Sequence, residues 1–253
     1  MTSEVIITID LEAPYPGGEE GSVDYGDLFH WMGVPATFFV TGDVAERRPD
    51  LIERLLSQGH EIGSHGWRHP YIGAPPEDRN KYLPELSDGE LSDHLGKSIA
   101  LLREIGADPV GFRAMQFKTD VRVMRHVAEH FKYDSSLTRR QIDKWPEAVP
   151  LPVLPVSTLF GTAVRLGTPI LFGPPVRVFA GSIARLASDP QLVVYGHSSD
   201  LVRPSTPLFT ARWKRWWYYD RCGKPAIRVL RDVVSAAKRA NARFLTARQA
   251  LRI

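Results

Sequence analysis

The chain has little cysteine and no long hydrophobic run. Its one cysteine among 253 residues is Cys222, so no disulfide can form within the chain and a disulfide-stapled fold is excluded. No apolar stretch approaches the roughly 20 residues that a membrane-spanning helix needs. With 43% hydrophobic and 24% charged residues, the composition is typical of a globular protein and predicts no transmembrane segment.

Long runs of basic residues are also absent, and we expect no secretory leader. The net charge is only +3, and the lysines and arginines form no long run, so we expect no nucleic-acid partner. The first residues, Met1-Thr2-Ser3-Glu4, carry no basic side chain before the first apolar strand begins. A secretory leader would need a basic start and a removable apolar segment. We therefore expect a cytoplasmic protein.

What is present is an alternation of short β-rich runs and amphipathic helices. The β-rich runs predict strands at 5–9, 36–40, 61–64, 109–113, 151–156, 191–195 and 243–245. The spacing of apolar residues predicts helices at 48–58, after Ser87, at 120–131 and at 225–240. Strands that alternate with helices are typical of a parallel α/β fold. Because no repeat, low-complexity tract or linker interrupts the pattern, we expect a single domain over residues 1–253.

Two carboxylates end the first predicted strand. Asp10 and Glu12 are separated by one residue, and residues i and i+2 of a strand point to the same face. We therefore expect both side chains to project together from the end of this strand.

Two histidines follow the third predicted strand, in the stretch Ser64-His65-Gly66-Trp67-Arg68-His69. Small residues around His65 would let a metal ion and a substrate approach the backbone closely. Alone, two histidines at this spacing are more often polar loop residues. Two imidazoles and a carboxylate, with one acid left over, form the ligand set of a catalytic divalent metal that keeps a position open for water. A metal-dependent hydrolase is therefore the leading hypothesis.

The candidate residues share one position relative to the strands. In parallel α/β folds, functional side chains gather at the carboxyl ends of the strands. Six candidates fall at or just after predicted strands: Asp10, Glu12, His65, His69, Arg113 and His197. This clustering supports a single site without depending on any one motif.

Five segments together resemble a known family. They are Thr8–Glu12, Gly59–His69, Gly111–Ala114, Phe131–Ser136 and Val194–Ser198. In content and order they resemble the motifs of the polysaccharide deacetylases, or NodB-homology domain. The resemblance implies an α/β fold, namely a distorted (β/α) barrel, often with about seven parallel strands. It also implies hydrolysis of a carbon–nitrogen bond other than a peptide bond.

The chain departs from the family pattern in two places. The first motif more often has adjacent aspartates, whereas Leu11 separates Asp10 from Glu12 here, as in a divergent branch of the family. The third motif usually has proline at the position of Met115. The first departure concerns Glu12 as a metal ligand, and the second, at Met115, concerns the contacts with the substrate.

The resemblance implies a role for each residue. Glu12, His65 and His69 would hold a divalent metal, zinc first, with iron, cobalt or nickel as alternatives. Asp10 would be the catalytic base, Arg113 would brace it, and His197 would protonate the leaving amine. A carboxylate would keep His197 protonated; Asp134 is the first candidate and Asp200 the second. The alternative for Asp134 is a turn aspartate that binds the backbone of the serines after it.

The substrate is left open by the sequence. The resemblance implies an N-acetylated sugar or another small N-acyl compound, and a cytoplasmic location would favour a nucleotide- or lipid-linked one. The segment 209–219 contains three tryptophans, two tyrosines and three basic residues, and it could bind such a substrate, a membrane surface or a second copy of the chain. Alternative functions are the opening of a cyclic imide or ureide, and sugar binding without turnover.

Overall fold

The computed structural model describes residues 4–13, 18–69, 81–145, 147–158, 161–167, 191–202 and 222–253. The segment 209–219 therefore lies outside the described residues. Within the described part of the chain, no helix is both long enough and apolar enough to cross a bilayer.

Strands and helices alternate along the chain, as the sequence pattern predicts. The strands are β1 (Glu4–Leu11), β2 (Thr37–Val40), β3 (Glu61–Ser64), β4 (Gly111–Phe112), β5 (Tyr133–Asp134), β6 (Gln191–His197) and β7 (Arg243–Leu245). The helices are α1 (Gly21–Trp31), α2 (Gly42–Arg47), α3 (Pro49–Ser57), α4 (Asp88–Glu104), α5 (Val121–His130), α6 (Arg139–Ile142), α7 (Lys224–Arg239) and α8 (Ala247–Leu251). Short 3-10 turns include Met115–Phe117 and Ser198–Leu201.

The seven strands of the described residues form one parallel sheet in the order β5-β4-β3-β2-β1-β6. β7 pairs with the first half of β1, and β2 pairs with its second half. The register places Asp10 directly beside His197 of β6. Two expected site residues are therefore neighbours on adjacent strands.

Residues 152–158 connect the two outermost strands of this order. On one side the amide of Leu154 donates to the carbonyl of Asp134 at 2.8 Å, and on the other the amide of Ser157 donates to the carbonyl of Val193 at 3.0 Å. The sheet therefore curls into a barrel whose wall here is irregular backbone. The predicted α/β fold with a distorted barrel of parallel strands is confirmed.

The side chains of β1 alternate between the two faces of the sheet. Val5, Ile7, Ile9 and Leu11 pack in the cluster that the helices cover. The residues between them, among them Thr8 and Asp10, point into the barrel and are buried. This alternation places Asp10 and Glu12 on the same side, as expected from their spacing.

Several predicted elements lie where the sequence places them, and one predicted strand does not form. The strands at 61–64 and 243–245 lie at the predicted residues. The helix predicted after Ser87 is present and begins with a capping box, in which Glu90 accepts the Ser87 amide at 2.7 Å. The strand predicted at 151–156 is wrong. Pro152 and Pro155 have no amide hydrogen to donate to a ladder, so only Val153 forms a bridge. The single-domain organisation stays a prediction.

Candidate active site

Polar side chains from β1, β6 and the loop after β3 meet at the carboxyl end of the sheet. Five of the expected residues line one cleft of about 120 Å³: Asp10, Glu12, His65, His69 and His197. All but His197 are almost fully buried, and 28% of the His197 side chain is exposed. The cleft is large enough for an ion, a water molecule and a small acyl group.

Arg113 holds Asp10 from behind the cleft. It follows β4 directly, its side chain is fully buried, and its Nη1 donates to Asp10 Oδ1 at 2.8 Å. The same nitrogen donates to Thr8 Oγ1 at 2.9 Å, and Nε and Nη2 donate to Ser135. A guanidinium with every nitrogen engaged fixes the position of the carboxyl group. This is the bracing contact that the resemblance implies.

Glu12 is positioned by contacts to its backbone as well as by the histidines. The Ser198 hydroxyl donates to the Glu12 carbonyl at 2.6 Å and lies 3.3 Å from the Glu12 amide. Burial would raise the pKa of Glu12, but the hydrogen bond with His65 and the charges of His69 and His197 outweigh it and lower the pKa to about 2. Glu12 is therefore a carboxylate whose negative charge faces two imidazoles.

The loop that carries the histidines depends on a glycine. Gly66 has a φ of +82°, and a Cβ there would lie 2.7 Å from His94 Nε2. The same imidazole nitrogen accepts the amide of Trp67 at 2.8 Å. His94 therefore fixes the turn between His65 and His69.

His65 presents a definite nitrogen to the cleft. Its Nδ1 lies 2.8 Å from the carbonyl oxygen of Arg113, and since a carbonyl only accepts, Nδ1 carries the hydrogen. In the neutral ring, Nε2 is then an acceptor, and it faces Glu12 Oε2 at 3.5 Å. Two acceptors face each other favourably only when a proton or a cation lies between them. Metal-binding histidines commonly donate their other ring nitrogen in this way, as His65 Nδ1 does to the Arg113 carbonyl.

The distances around Glu12 fit a shared cation. Glu12 Oε2 lies 3.5 Å from His65 Nε2 and 3.2 Å from His69 Nε2. In a tetrahedral zinc site, bonds of about 2.1 Å put neighbouring donors about 3.4 Å apart. Within the described residues, no group of three or more His, Cys, Asp or Glu side chains meets the spacing needed to hold a metal ion. The donor types and pairwise distances therefore fit a divalent metal without forming a finished site.

His197 is accompanied by Asp200, not by Asp134. Asp200 Oδ2 accepts the backbone amide of His197 at 2.6 Å and lies 3.7 Å from its Nδ1, an ion-pair distance. Burial would lower the pKa of His197, but Asp200, Glu12 and Asp10 outweigh it and raise the pKa to about 10. The imidazole is therefore a cation at neutral pH.

The first choice of Asp134 as the partner of His197 is corrected. Both Asp134 oxygens accept hydrogen bonds at 2.6 Å from Ser136, one from the amide and one from the hydroxyl. Asp134 is thus the turn aspartate considered as the alternative. In the same turn, Ser136 Oγ also accepts the amide of Ala114 beside Arg113.

One wall of the cleft was not found from the sequence. Gln116 and Phe117 both line it, with φ angles of 50° and 58° in the left-handed region. Such conformations cost non-glycine residues roughly 1–2 kcal/mol each and are concentrated at functional sites. The Phe117 ring packs edge-on against Tyr195, whose ring packs in turn against His197. No glycine marks this turn, so the sequence carries no sign of it.

Comparison with known proteins agrees with this architecture. The family model for polysaccharide deacetylase matches residues 3–133, slightly more than half of the chain. A chitooligosaccharide deacetylase of Sinorhizobium fredii is 54% identical over 41 residues, which cover 16% of this chain and 19% of that protein. A Mycobacterium smegmatis protein assigned to the polysaccharide deacetylases superposes with a TM-score of 0.67 at 21% identity, covering 99% of this chain and 89% of that one.

A third comparison limits what the fold alone can say about activity. The structure of a Bacillus anthracis protein described as a pseudoenzyme superposes with a TM-score of 0.60 at 14% identity, covering 99% of this chain and 66% of that one. The aligned segments of the first curated relatives span only 13–24% of those proteins' lengths. The family match instead rests on the first half of the chain, which carries Asp10, Glu12, His65, His69 and Arg113. The chain belongs to the polysaccharide deacetylase family.

Proposed function

We propose that the protein hydrolyses the N-acetyl amide of an amino sugar. The observation that carries this proposal is the cleft itself, in which Asp10, held by Arg113, and a cationic His197 lie side by side on β1 and β6. A base and an acid beside one another can take a proton from water and give one to a leaving amine. Relatives named as chitooligosaccharide deacetylases support an amino sugar as the substrate.

The chain's own residues supply the proton transfers. Asp10, held by Arg113 at 2.8 Å, accepts a proton from the attacking water. His197 donates a proton to the amine nitrogen as the carbon–nitrogen bond breaks. Phe117 and Gln116 close one side of the cleft and restrict the access of bulk water.

Glu12, His65 and His69 are the residues that would hold the metal. A divalent ion there would supply a Lewis acid and lower the pKa of water toward neutral. Zinc suits one carboxylate and two imidazoles, and iron, cobalt and nickel share these ligands.

The proposed activity is tested by measuring acetate released from free and oligomeric N-acetylated amino sugars. We expect release after reconstitution with zinc or cobalt, loss with a chelator, and recovery when metal is added back. Release that is insensitive to the chelator would contradict the metal assignment. Metal binding without acetate release, together with opening of a cyclic imide or ureide, would favour the alternative hydrolase. Sugar binding without any product would favour the non-catalytic alternative.

Asp200→Asn should lower the pH at which activity declines on the alkaline side of the pH profile. The carboxylate raises the pKa of His197, so its loss lowers that pKa. The general acid is then deprotonated at a lower pH, and the alkaline limb of kcat moves to lower pH. Asp134→Asn is the matched control, because Asp134 contacts Ser136 instead of His197, and it should leave the limb in place. A shift with Asp134→Asn and none with Asp200→Asn would restore the original assignment.

A further inference from the structure

A second, wider pocket adjoins, through Arg165, the wall of the cleft formed by Gln116 and Phe117, here called the Phe117 wall. It has a volume of about 490 Å³, and its lining includes Arg140, Lys144, Trp145 and Arg165. Arg140 and Lys144 are exposed, whereas Trp145 and Arg165 are partly buried. Three cationic side chains therefore face one open space.

The polar groups of this pocket lack acidic partners among the described residues. Arg165 Nη2 donates to the amide oxygen of Gln141 at 3.2 Å, which is a neutral acceptor. Arg165 Nε and Trp145 Nε1 are buried and have no acceptor within the described part of the chain. The nearest acid in sequence, Asp143, is exposed and does not line the pocket. Buried donors and charges without partners are costly, so their presence favours an external acceptor.

Arg165 connects this pocket to the catalytic cleft. Its guanidinium carbon lies 4.3 Å from the centre of the Phe117 ring, and Phe117 lines the cleft. Its backbone is fixed, because the amide of Leu166 donates to Ser157 at 2.8 Å and the amide of Tyr195 donates to Leu166 at 3.2 Å. The Phe117 ring therefore lies between Arg165 of the cationic pocket and the catalytic cleft.

We propose that this pocket binds an anionic group, such as a phosphate, carried by the substrate whose N-acetyl group enters the cleft. The inference rests on the proposed deacetylase function and names its substrate class. The side chains of arginine and lysine and the indole N–H of tryptophan can only donate hydrogen bonds. They therefore favour a ligand group that only accepts them. Phosphate is a group that arginine and lysine together recognise well.

Kinetics with two matched substrates test the proposal. We expect N-acetylglucosamine 1-phosphate to have a kcat/KM at least about tenfold above that of N-acetylglucosamine, as charge-assisted hydrogen bonds would give. Arg140→Gln/Lys144→Gln should remove this preference through KM and leave the neutral sugar unaffected. Arg239→Gln, at an exposed arginine near the end of α7, is the control and should preserve the preference.

Binding of inorganic phosphate, followed by phosphorus NMR, separates the pocket from the chemistry. We expect the wild-type protein to bind phosphate more tightly than Arg140→Gln/Lys144→Gln, and phosphate to compete with the phosphorylated sugar only. Phosphate binding without hydrolysis of either sugar would support the pocket and contradict the deacetylase function. Hydrolysis with equal kcat/KM for both sugars would overturn the substrate inference. So would variants that slow both sugars equally.

Discussion

His65→Ala should release the metal and abolish acetate production. Its Nδ1 donates to the Arg113 carbonyl at 2.8 Å, so its Nε2 is held toward Glu12 in the form that binds a metal. Losing an outer partner of a metal ligand already costs roughly 10–100-fold in affinity, and losing the ligand itself should cost more. The measurement is the metal content after reconstitution and dialysis, alongside the rate of acetate release.

Two further variants keep this prediction testable if His65→Ala folds poorly. His69→Ala removes the other imidazole, which lies 3.2 Å from Glu12 Oε2, and should give the same loss of metal and rate. His30→Ala, at an exposed histidine of α1, should change neither. Full metal content and activity in both His65→Ala and His69→Ala would show that the ligands lie elsewhere.

The parts of the site that the sequence predicted well depend on local spacing. Asp10 and Glu12 face the same side because a strand alternates with a period of two, and apolar residues such as Ile7 and Ile9 pack on the opposite face. The histidines lie near these acids because parallel strands end at the same edge of the sheet. Both inferences need only the period of one strand and the direction of the next.

The partner of His197 could not be predicted in this way. Asp134 and Asp200 both lie at or just after strands, but β5 and β6 stand at opposite ends of the strand order. The order of strands in the sheet depends on how the whole chain packs, and no local sequence pattern predicts it. Asp200 is three residues beyond His197 in a 3-10 turn, and that turn brings its carboxylate back to the His197 amide.

The Phe117 wall shows a second limit. Its left-handed backbone goes with tertiary contacts, since the Phe117 ring packs edge-on against Tyr195 and lies under the guanidinium of Arg165. These partners are 78 and 48 residues away in sequence. Residues that act through such distant contacts carry no periodic or motif signal, so the wall and the pocket behind it emerge only from the structure.

Asp10→Asn should reduce kcat by about 10²–10⁴-fold while the metal stays bound, because a general base contributes on that scale. It should also lower stability, since the buried Arg113 loses its only described carboxylate partner, and breaking a buried pair costs roughly 3–5 kcal/mol. Asp10→Asn/Arg113→Met separates these effects: removing both charges should recover part of the stability and none of the rate. Asp27→Asn, which breaks an exposed pair with Arg54, is the control and should change neither quantity appreciably. If the double variant recovered the rate together with the stability, Asp10 would be an anchor for Arg113 and the base would have to be another group in the cleft.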